Sequence, residues 1–474
     1  MSRAYQLKLQ TEFEMKQIKI STKILLFVFI LIGAGSCKVG PNFQKTTLKT
    51  PEQYRFSVSN DSITDLKWQD IYKDPTLVEL INSALSNNFD ARIAASRIME
   101  SRYYLGYTKA DQYPVLLYNG GVNLGNSLGA FPSGKDATAS FSLTGNLNWE
   151  LDFWGKYRRA TEAAQAELVA TEYGLKAIQV SLISEVARTY FLLLDYKSRL
   201  SIAKNTLVTR KESTRIIWER YKKGIVPEID LNQAQIQEDY AAGAIPAYER
   251  SVAFTENALS MLIGENPREI VISAQIDEVL PPDSIPAGLP SQLLKRRPDV
   301  LEAEQLAVAQ NARIGVAQAL RFPSFSLTAM LGVASPDLSA FNSSDILVGT
   351  VGAGLFGPIF NFGKNKRRVE IEKERTEQLR LNYQKAVVSA FRETEDALVN
   401  VRTLEQELVF VENQLKSSTN AAKLSRARYD GGVTSYLEVL EAERSLFQIQ
   451  LYYSEMLQRR LSAYSDLYKT LGGG

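Results

Sequence analysis

Histidine is missing from all 474 residues, and cysteine occurs once, at position 37. The first absence removes His-based acid–base catalysis, Ser-His and Cys-His nucleophile pairs and His-containing metal sites. The second removes disulfides within the chain and Cys-cluster metal sites. Net charge is also lacking, with 55 Lys+Arg against 53 Asp+Glu, so the electrostatic footprint of a nucleic-acid binder is not there. Past residue 36 no stretch reaches about 18–20 consecutive apolar residues, so no transmembrane helix is expected there. Proline is absent from Lys156 to Lys222, which leaves room for a very long helix. With 45% apolar and 23% charged residues, the composition is that of an ordered chain.

The first 36 residues have the plan of a secretory leader. Lys16, Lys19 and Lys23 form a positive region, Ile24 to Ile32 an apolar one, and Gly33-Ala-Gly-Ser36 supplies small residues before Cys37. Residues 1–14 are polar and charged, so translation is expected to start at Met15. A leader ending directly before a cysteine resembles a bacterial lipobox, with Cys37 as the lipidated N-terminus; the other reading is a free thiol beside an ordinary cleavage site. Removing the leader leaves 50 basic against 51 acidic residues.

An internal repeat organises the remainder. Arg220-Tyr221, Gly224, Ile225, Asp230 and Ala234 meet Arg428-Tyr429, Gly432, Val433, Glu438 and Ala442 at an offset of 208. Asp152-Phe-Trp-Gly-Lys156 meets Phe360-Asn-Phe-Gly-Lys364 at the same offset. Ala110-Asp-Gln-Tyr-Pro114 meets Ala319-Leu-Arg-Phe-Pro323 at 209, as Asp90 and Ala94 meet Asp299 and Ala303. Landmarks in one order at nearly one spacing point to a tandem duplication.

After an arm running over 37–65, helical periodicity begins near Pro75, breaks around Asn87–Asn88 and ends before Tyr113-Pro114. The period then changes to two. Phe141, Leu143, Gly145, Leu147, Trp149 and Leu151 alternate with Ser140, Ser142, Thr144, Asn146, Asn148 and Glu150. Leu116 to Leu124, Phe325 to Val333 and Leu347 to Leu355 repeat the pattern, giving hairpins over 115–151 and 324–358. Such strands suit a lipid-facing barrel and equally a half-buried hairpin of a soluble domain. Helices are expected over 156–222 and 364–429, returning antiparallel over 228–263, with Pro246 as a kink or break, and 435–471. Leu168, Leu175, Leu182 and Thr189 at sevenfold spacing, backed by Ile178, Val186 and Leu193, make a coiled-coil-like seam. Each of the longer pair would span about 100 Å. The first repeat thus covers 66–264, the second 299–474, with an irregular, Pro-rich linker over 265–298.

Four strands cannot close a membrane barrel, and an open edge cannot sit in lipid. Membrane strands would therefore have to be pooled, three chains giving twelve being the simplest closed answer. The long helices would continue the barrel as a hollow bundle, which makes a duct.

The repeat, Asp152–Lys156, Asn361-Phe-Gly-Lys364, the Arg-Tyr-x-x-Gly tips and Leu467-Tyr-Lys-x-Leu-Gly-Gly473 together resemble the TolC-like outer-membrane efflux proteins. Cys37-Lys-Val-Gly-Pro-Asn-Phe43 is similar to the OprM/NodT-type lipoprotein branch. The resemblance covers essentially the whole mature chain. It implies a mainly α fold with membrane β: a homotrimer with a twelve-stranded β-barrel in the outer membrane of a Gram-negative bacterium and an α-barrel crossing the periplasm. It further implies a palmitate-type lipid on Cys37, an inner-membrane pump of the RND type, a periplasmic adaptor on the tips and export of small molecules or ions. Neither catalysis nor a cofactor or metal is implied.

By the same resemblance the periplasmic constriction is lined by Leu437, Glu441 and Arg444. Glu441 and Arg444 are i,i+3 on a helix and can share a face; without the resemblance they read as an exposed pair and Leu437 as a seam residue. The family often carries Asp where this chain has Glu441, which makes the aperture narrower or more flexible here. The first-repeat counterparts Ile229 and Gln233 are uncharged, so the latch is asymmetric. Gly224, Gly431 and Gly432 are turn residues first and, with Arg220, Tyr221, Arg428 and Tyr429, adaptor contacts second. Other classes fit less well. Gly357-Pro-Ile-Phe-Asn-Phe-Gly-Lys364 has one residue too many for a phosphate loop and no Ser/Thr after the lysine. A structural coiled-coil lipoprotein leaves the strands unexplained. A type I protein-secretion duct shares the fold, and the lipobox and arm favour the efflux branch.

Overall fold

A computed structural model describes residues 38–45, 50–56, 67–125, 138–281, 288, 290–336 and 347–473. The leader, Met15, Cys37, most of the arm beyond Lys45 and the hairpin loops lie outside the described residues.

The helices and strands fall in repeat order. Short α1 (Trp68–Ile71) and α2 (Pro75–Asn87) precede α3 (Phe89–Ala110), β1 (Val115–Gly125), β2 (Thr138–Leu151), α4 (Lys156–Lys222) and α5 (Glu228–Leu262). Then come α6 (Pro290–Arg296), α7 (Pro298–Ala319), β3 (Ser324–Ser335), β4 (Leu347–Phe356), α8 (Lys364–Asp430) and α9 (Tyr436–Thr470). Both ends of α3 and α7 are 209 residues apart, and both ends of α4 and α8, and of α5 and α9, are 208 apart.

One expectation needs correction and two are made more definite. The stretch 265–298 is not irregular throughout, because Pro290 and Pro298 each open a helix, where a missing N–H costs nothing. Pro246 does not break α5, which runs on to Leu262; of the kink-or-break alternatives only the kink is left, and residue 246 itself is exposed. Finally, α4 does hold one 18-residue window of mean hydropathy 1.3, apolar and long enough to cross a membrane by composition alone. Half of that window is buried in the chain, and the α4 residues from Leu182 to Leu194 supply much of a core.

The chain divides into two compact units, and each draws on both repeats. One combines the residues up to Lys45 with Arg102–Glu167 and Ala307–Leu379. Its centre is a four-stranded antiparallel sheet in the order β1-β2-β3-β4. Register joins the apolar residues into one face: Leu116 opposes Leu147, Val122 opposes Phe141, Leu143 opposes Val333 and Phe325 opposes Leu355. That face is open, with Leu116, Tyr118, Leu331 and Val351 all more than 60% exposed. The other face carries Asn146, Thr144, Ser142 and Thr328. At the foot of β2 the Asp152 carboxylate accepts from the backbone N–H of Tyr157 (3.1 Å) and Arg158 (2.8 Å), and Gly155 turns with φ 78°. The Asp-Phe-Trp-Gly-Lys motif is therefore the cap that launches α4.

The same unit binds the arm. Arg159, 1% exposed, donates from Nε to the Val39 carbonyl (3.1 Å) and from Nη2 to the Gly40 carbonyl (2.8 Å) and Asn42 Oδ1 (3.0 Å). Asn311 Nδ2 donates to the Pro41 carbonyl at 3.0 Å, and Lys38 pairs with Glu162.

The other unit holds Thr46–Ser101, Leu168–Leu306 and Arg380–Gly474. Its main core gathers Leu77 and Ile81 of α2, Val186, Tyr190 and Leu193 of α4, Leu259 of α5 and Met456 of α9. Asp74 caps α2 by accepting from Thr76 N at 2.8 Å and also accepts the Tyr190 hydroxyl at 2.6 Å. A second cluster gathers Val300, Tyr383, Ala390 and Leu467; beside it buried Arg297 donates to the Ala390 carbonyl at 3.5 Å, and its Nη2 lies 2.7 Å from both Asp299 and Glu393. Leu168, Leu182, Val186 and Leu193 of the expected seam are buried.

Candidate functional site

The two helix turns, α4–α5 and α8–α9, are built alike. Gly224 N–H donates to the Tyr221 carbonyl (2.8 Å) and Ile225 N–H to the Arg220 carbonyl (2.9 Å). Gly432 donates to Tyr429 (3.0 Å) and Val433 to Arg428 (2.9 Å) in the same pattern. This is the Schellman helix stop, whose left-handed residue favours glycine. Gly224 and Gly432 supply it, with φ 69° and 72°, while Gly431 does not need it. Arg-Tyr-x-x-Gly is thus the sequence trace of a helix end, and the next apolar residues, Ile225 and Val433, stand 66% and 69% exposed.

A small core ties the turns together: Ile217, Leu231, Ala234, Tyr429, Tyr436, Val439 and Leu440, with Tyr221 packed against them. The rings of Tyr429 and Tyr436 lie 5.4 Å apart. Polar contacts then join the first coil, the pair α4–α5, to the second, the pair α8–α9. Arg220 stacks over Tyr429, 4.8 Å from the ring centroid, and lies 3.7 Å from Asp430. Arg426 Nη1 donates to Ser213 Oγ at 2.8 Å, and the same guanidinium lies 3.6 Å from Glu443 and 3.7 Å from Asp430. Arg428 pairs with Glu438 at 3.1 Å. Burial pushes the Glu443 carboxyl above its ordinary value, against the pull of Arg426 and Arg210. Burial likewise raises Asp230.

Leu437, Glu441 and Arg444 form one exposed stripe on α9, spaced i, i+4, i+7. Arg444 Nη2 donates to both Glu441 oxygens, at 2.6 and 2.7 Å. Both side chains are more than half exposed, so the pair contributes about 0–1 kcal/mol by itself. Leu437 is 57% exposed, as is its first-repeat counterpart Ile229; in a single chain neither belongs to a core. Geometry therefore brings Glu441 and Arg444 together and sets Leu437 on the same face. Of the other expected residues, Arg220, Tyr221, Arg428 and Tyr429 are engaged inside the tip, with Tyr429 8% exposed, so their first role is to hold it together. Arg428 stays more than half exposed even so, and the exposed tip surface joins it with Lys222, Lys223, Asp430, Ile225, Val433 and the glycines.

Sequence reasoning overlooked Arg426, Ser213, Asp430, Glu443 and the arm clamp Arg159. Asp430 and Glu438 lay inside the repeated stretch, and the match of Asp230 to Glu438 was a signal for the latter. Nothing in helical periodicity marks Ser213 or Arg159 as partners, because both contacts depend on how distant segments meet.

The profile of the family described as "Outer membrane efflux protein" matches residues 80–265 and 289–473. The chain is 33% identical over 458 residues to the "Cation efflux system protein CusC" of Escherichia coli O6:H1, covering 95% of this chain and 98% of that one. It is 32% identical over 479 residues to the "Probable outer membrane lipoprotein SilC" of Salmonella typhimurium, covering 98% and 99%. Among solved structures, the open-state MtrE outer membrane channel of Neisseria gonorrhoeae superposes with a TM-score of 0.85 at 29% identity, over 92% of this chain and 98% of that one.

Proposed function

Since this chain belongs to the outer membrane efflux protein family and serves as the outer-membrane channel of a tripartite efflux system, we propose that it works as a passive duct made by three copies. The observation that carries the reading is the sheet: among the described residues it has four strands, an apolar face left open and edges β1 and β4 unpaired. Unpaired edges are costly in lipid, and three sheets joined edge to edge remove them all.

The partners follow from this assembly: a periplasmic adaptor at the tips and an inner-membrane pump of the RND type. Ile225, Val433 and the turn glycines give the adaptor an exposed apolar rim. Cargo is small molecules or ions, selected by the pump and passed on by the duct; the chain itself performs no catalysis. A lipid on Cys37 would leave the chain directly before Lys38, which sits against Gly155 at the foot of β2.

At rest the duct is closed by three copies of the Leu437–Glu441–Arg444 stripe converging on the axis, with Leu437 as an apolar plug. The contacts from Arg220 and Arg426 hold each second coil against its first. Single-channel conductance of the full-length protein in planar bilayers, native against Glu441→Ala/Arg444→Ala, tests this. A small or flickering native conductance that rises in the double variant supports the closed duct. A large native pore unchanged by the variant places the gate elsewhere, and no pore from either protein overturns the duct.

A further inference from the structure

The hairpins of the two repeats share one register. Val115 opposes Asn148 in the first and Ser324 opposes Phe356 in the second, shifted by 209 residues in the leading strand and 208 in the returning one. Between the hairpins, β2 and β3 set Leu143 opposite Val333, Gly145 opposite Leu331 and Leu147 opposite Ala329. Below that seam an aromatic pair locks the feet of the strands. Trp154 stacks on Phe322, with centroids 4.5 Å apart and planes 21° from parallel, and its Nε1 donates to the Pro323 carbonyl at 2.8 Å. The same offsets send Trp154 to Phe362 and Phe322 to Tyr113. Those two rings are 84% and 69% exposed. In sequence they flank β4 and β1, the edges of the sheet among the described residues. Phe362 also holds φ at 51°, a left-handed backbone that bulky residues rarely adopt, and the ring it meets, Phe360, is itself exposed. Strain of this kind is kept where a contact uses it.

We propose that β4 of one copy joins β1 of the next in the register that β2 and β3 use within the chain, and that Phe362 of the one stacks on Tyr113 of the other at the foot of that seam. Carried over by 208 and 209 residues, the register sets Val351 opposite Leu124, Ala353 opposite Val122 and Leu355 opposite Gly120. Apolar residues therefore meet apolar or glycine residues across the new seam, although the transfer used the offsets alone. A slip of one residue would set Val351 opposite Asn123 and turn one strand's apolar face inward. Phe362 has no N–H with which to copy the bond of Trp154 to a carbonyl. The joint between copies is thus held by stacking alone, where the joint within a chain has a hydrogen bond as well. This joint rests on the three-copy reading and adds to it which residues meet.

Oxidative cross-linking of the full-length protein in outer-membrane vesicles tests the register. Facing positions lie within the span that a disulfide bridges, whereas positions shifted by two lie about 7–8 Å apart, beyond it. V351C/L124C should cross-link between copies at least about fivefold more than V351C/V122C or A353C/L124C, with each single variant as the blank for the native cysteine. Dissociation of the oligomer on heated gels tests the ring joint. F362A and Y113A should each lower the dissociation temperature, F362A/Y113A should lower it no further than the larger of the two, and F362W, which restores the N–H, should raise it. Cross-linking that favours a shifted pair, or is equal across the three pairs, overturns the register. Losses that add in F362A/Y113A overturn the ring joint. Absence of cross-links in an intact oligomer overturns the pairing of β4 with β1 and leaves the three-copy reading standing; a native protein that runs as a monomer removes that reading as well.

Discussion

Arg220 lays its guanidinium over the ring of Tyr429, 4.8 Å from the centroid, whereas its repeat counterpart Arg428 pairs with Glu438 at 3.1 Å. The backbones of the two tips follow one plan, and their side chains do not. In the first repeat the arginine reaches across to the second coil, and Asp230, the counterpart of Glu438, has its carboxyl raised by burial alone. One tip is closed on itself while the other is bonded to its neighbour. Motion of the second coil must therefore break contacts made by the first.

Removing that bond should loosen the second coil. Stacking of an arginine on an aromatic ring contributes about 0.5–1 kcal/mol at exposed sites, so Arg220→Ala should raise the open fraction of channels roughly two- to fivefold. Tyr429→Phe is the matched control. Among the described residues the buried Tyr429 hydroxyl has no partner, so the phenylalanine keeps the ring and removes a desolvated group. Its conductance should match the native protein and its melting temperature should be equal or higher. A Tyr429→Phe channel that opens like Arg220→Ala would show that the hydroxyl, and not the stacked ring, holds the coil.

The Glu441–Arg444 stripe should respond to salt. Both groups are more than half exposed, and screening shortens from about 10 Å at 0.1 M to about 3 Å at 1 M. Native conductance should rise between these salts by more than bulk conductivity accounts for, and Glu441→Ala/Arg444→Ala should follow bulk conductivity alone. Parallel curves for the two proteins would remove the pair from the gate.

Glu443 supplies a pH dependence of the opposite sign to an ordinary ion pair. Burial holds its carboxyl above the usual 4.5 in the folded chain, so the native state binds the proton more tightly than the unfolded one. Its contribution to stability is full below the unfolded value and is lost as pH rises through the folded value. The melting temperature of wild type relative to Glu443→Gln should therefore fall as pH is raised from about 4 towards 7. A difference that grows in favour of wild type over that range would mean that Arg426 and Arg210 outweigh the desolvation.

How much of this was open to a reader of the chain varies with the range of the interaction. Helix ends at Lys222 and Asp430 were readable because a Gly at a fixed offset from Arg-Tyr is a local stop. The strands were readable because a period of two survives whatever the sheet packs against. The seam of α4 was readable for Leu182, Val186 and Leu193, which recur on one helical face. What stayed hidden was contact at long range. Arg426 with Ser213 and Arg159 with Val39 and Gly40 join segments more than 100 residues apart (120 for Arg159 and Val39), and no spacing rule brings them together. The prolines opening α6 and α7 misled for a related reason: a proline's effect depends on whether its missing N–H falls at a helix start, where none is needed.

The arm clamp should fail abruptly when its space is filled. A Cβ at Gly315 would stand 2.8 Å from both Arg159 Cγ and the Val39 oxygen, and one at Gly40 would stand 2.5 Å from Gly315 Cα with φ at 100°. Gly315→Ala and Arg159→Ala should each release the arm, exposing Lys38 and Lys45 to trypsin while α4 and the sheet remain protected. Destabilisation of about 1–3 kcal/mol is expected for Arg159→Ala, because the Val39 and Gly40 carbonyls lose their donor. Resistance to trypsin in both variants would show that other contacts hold the arm.

Gly332 tests the sheet itself. It pairs with Thr144 across β2 and β3, and the two strands approach so closely there that a Cβ would lie 2.2 Å from the Leu143 carbonyl oxygen. The obstacle is backbone and not the end of a flexible side chain, so relief requires the strands to part. This is also the seam where the first repeat's hairpin joins the second's, and among the described residues it is the one strand pairing with no hairpin loop to hold its register. Gly332→Ala should therefore weaken closure of the sheet in every copy at once, lowering the temperature at which the oligomer dissociates on a gel. Gly121→Ala, where the nearest atom, Ser142 Oγ, is 3.9 Å away, should leave that temperature nearly unchanged. If the two variants dissociate together, the β2–β3 seam is not what limits the barrel.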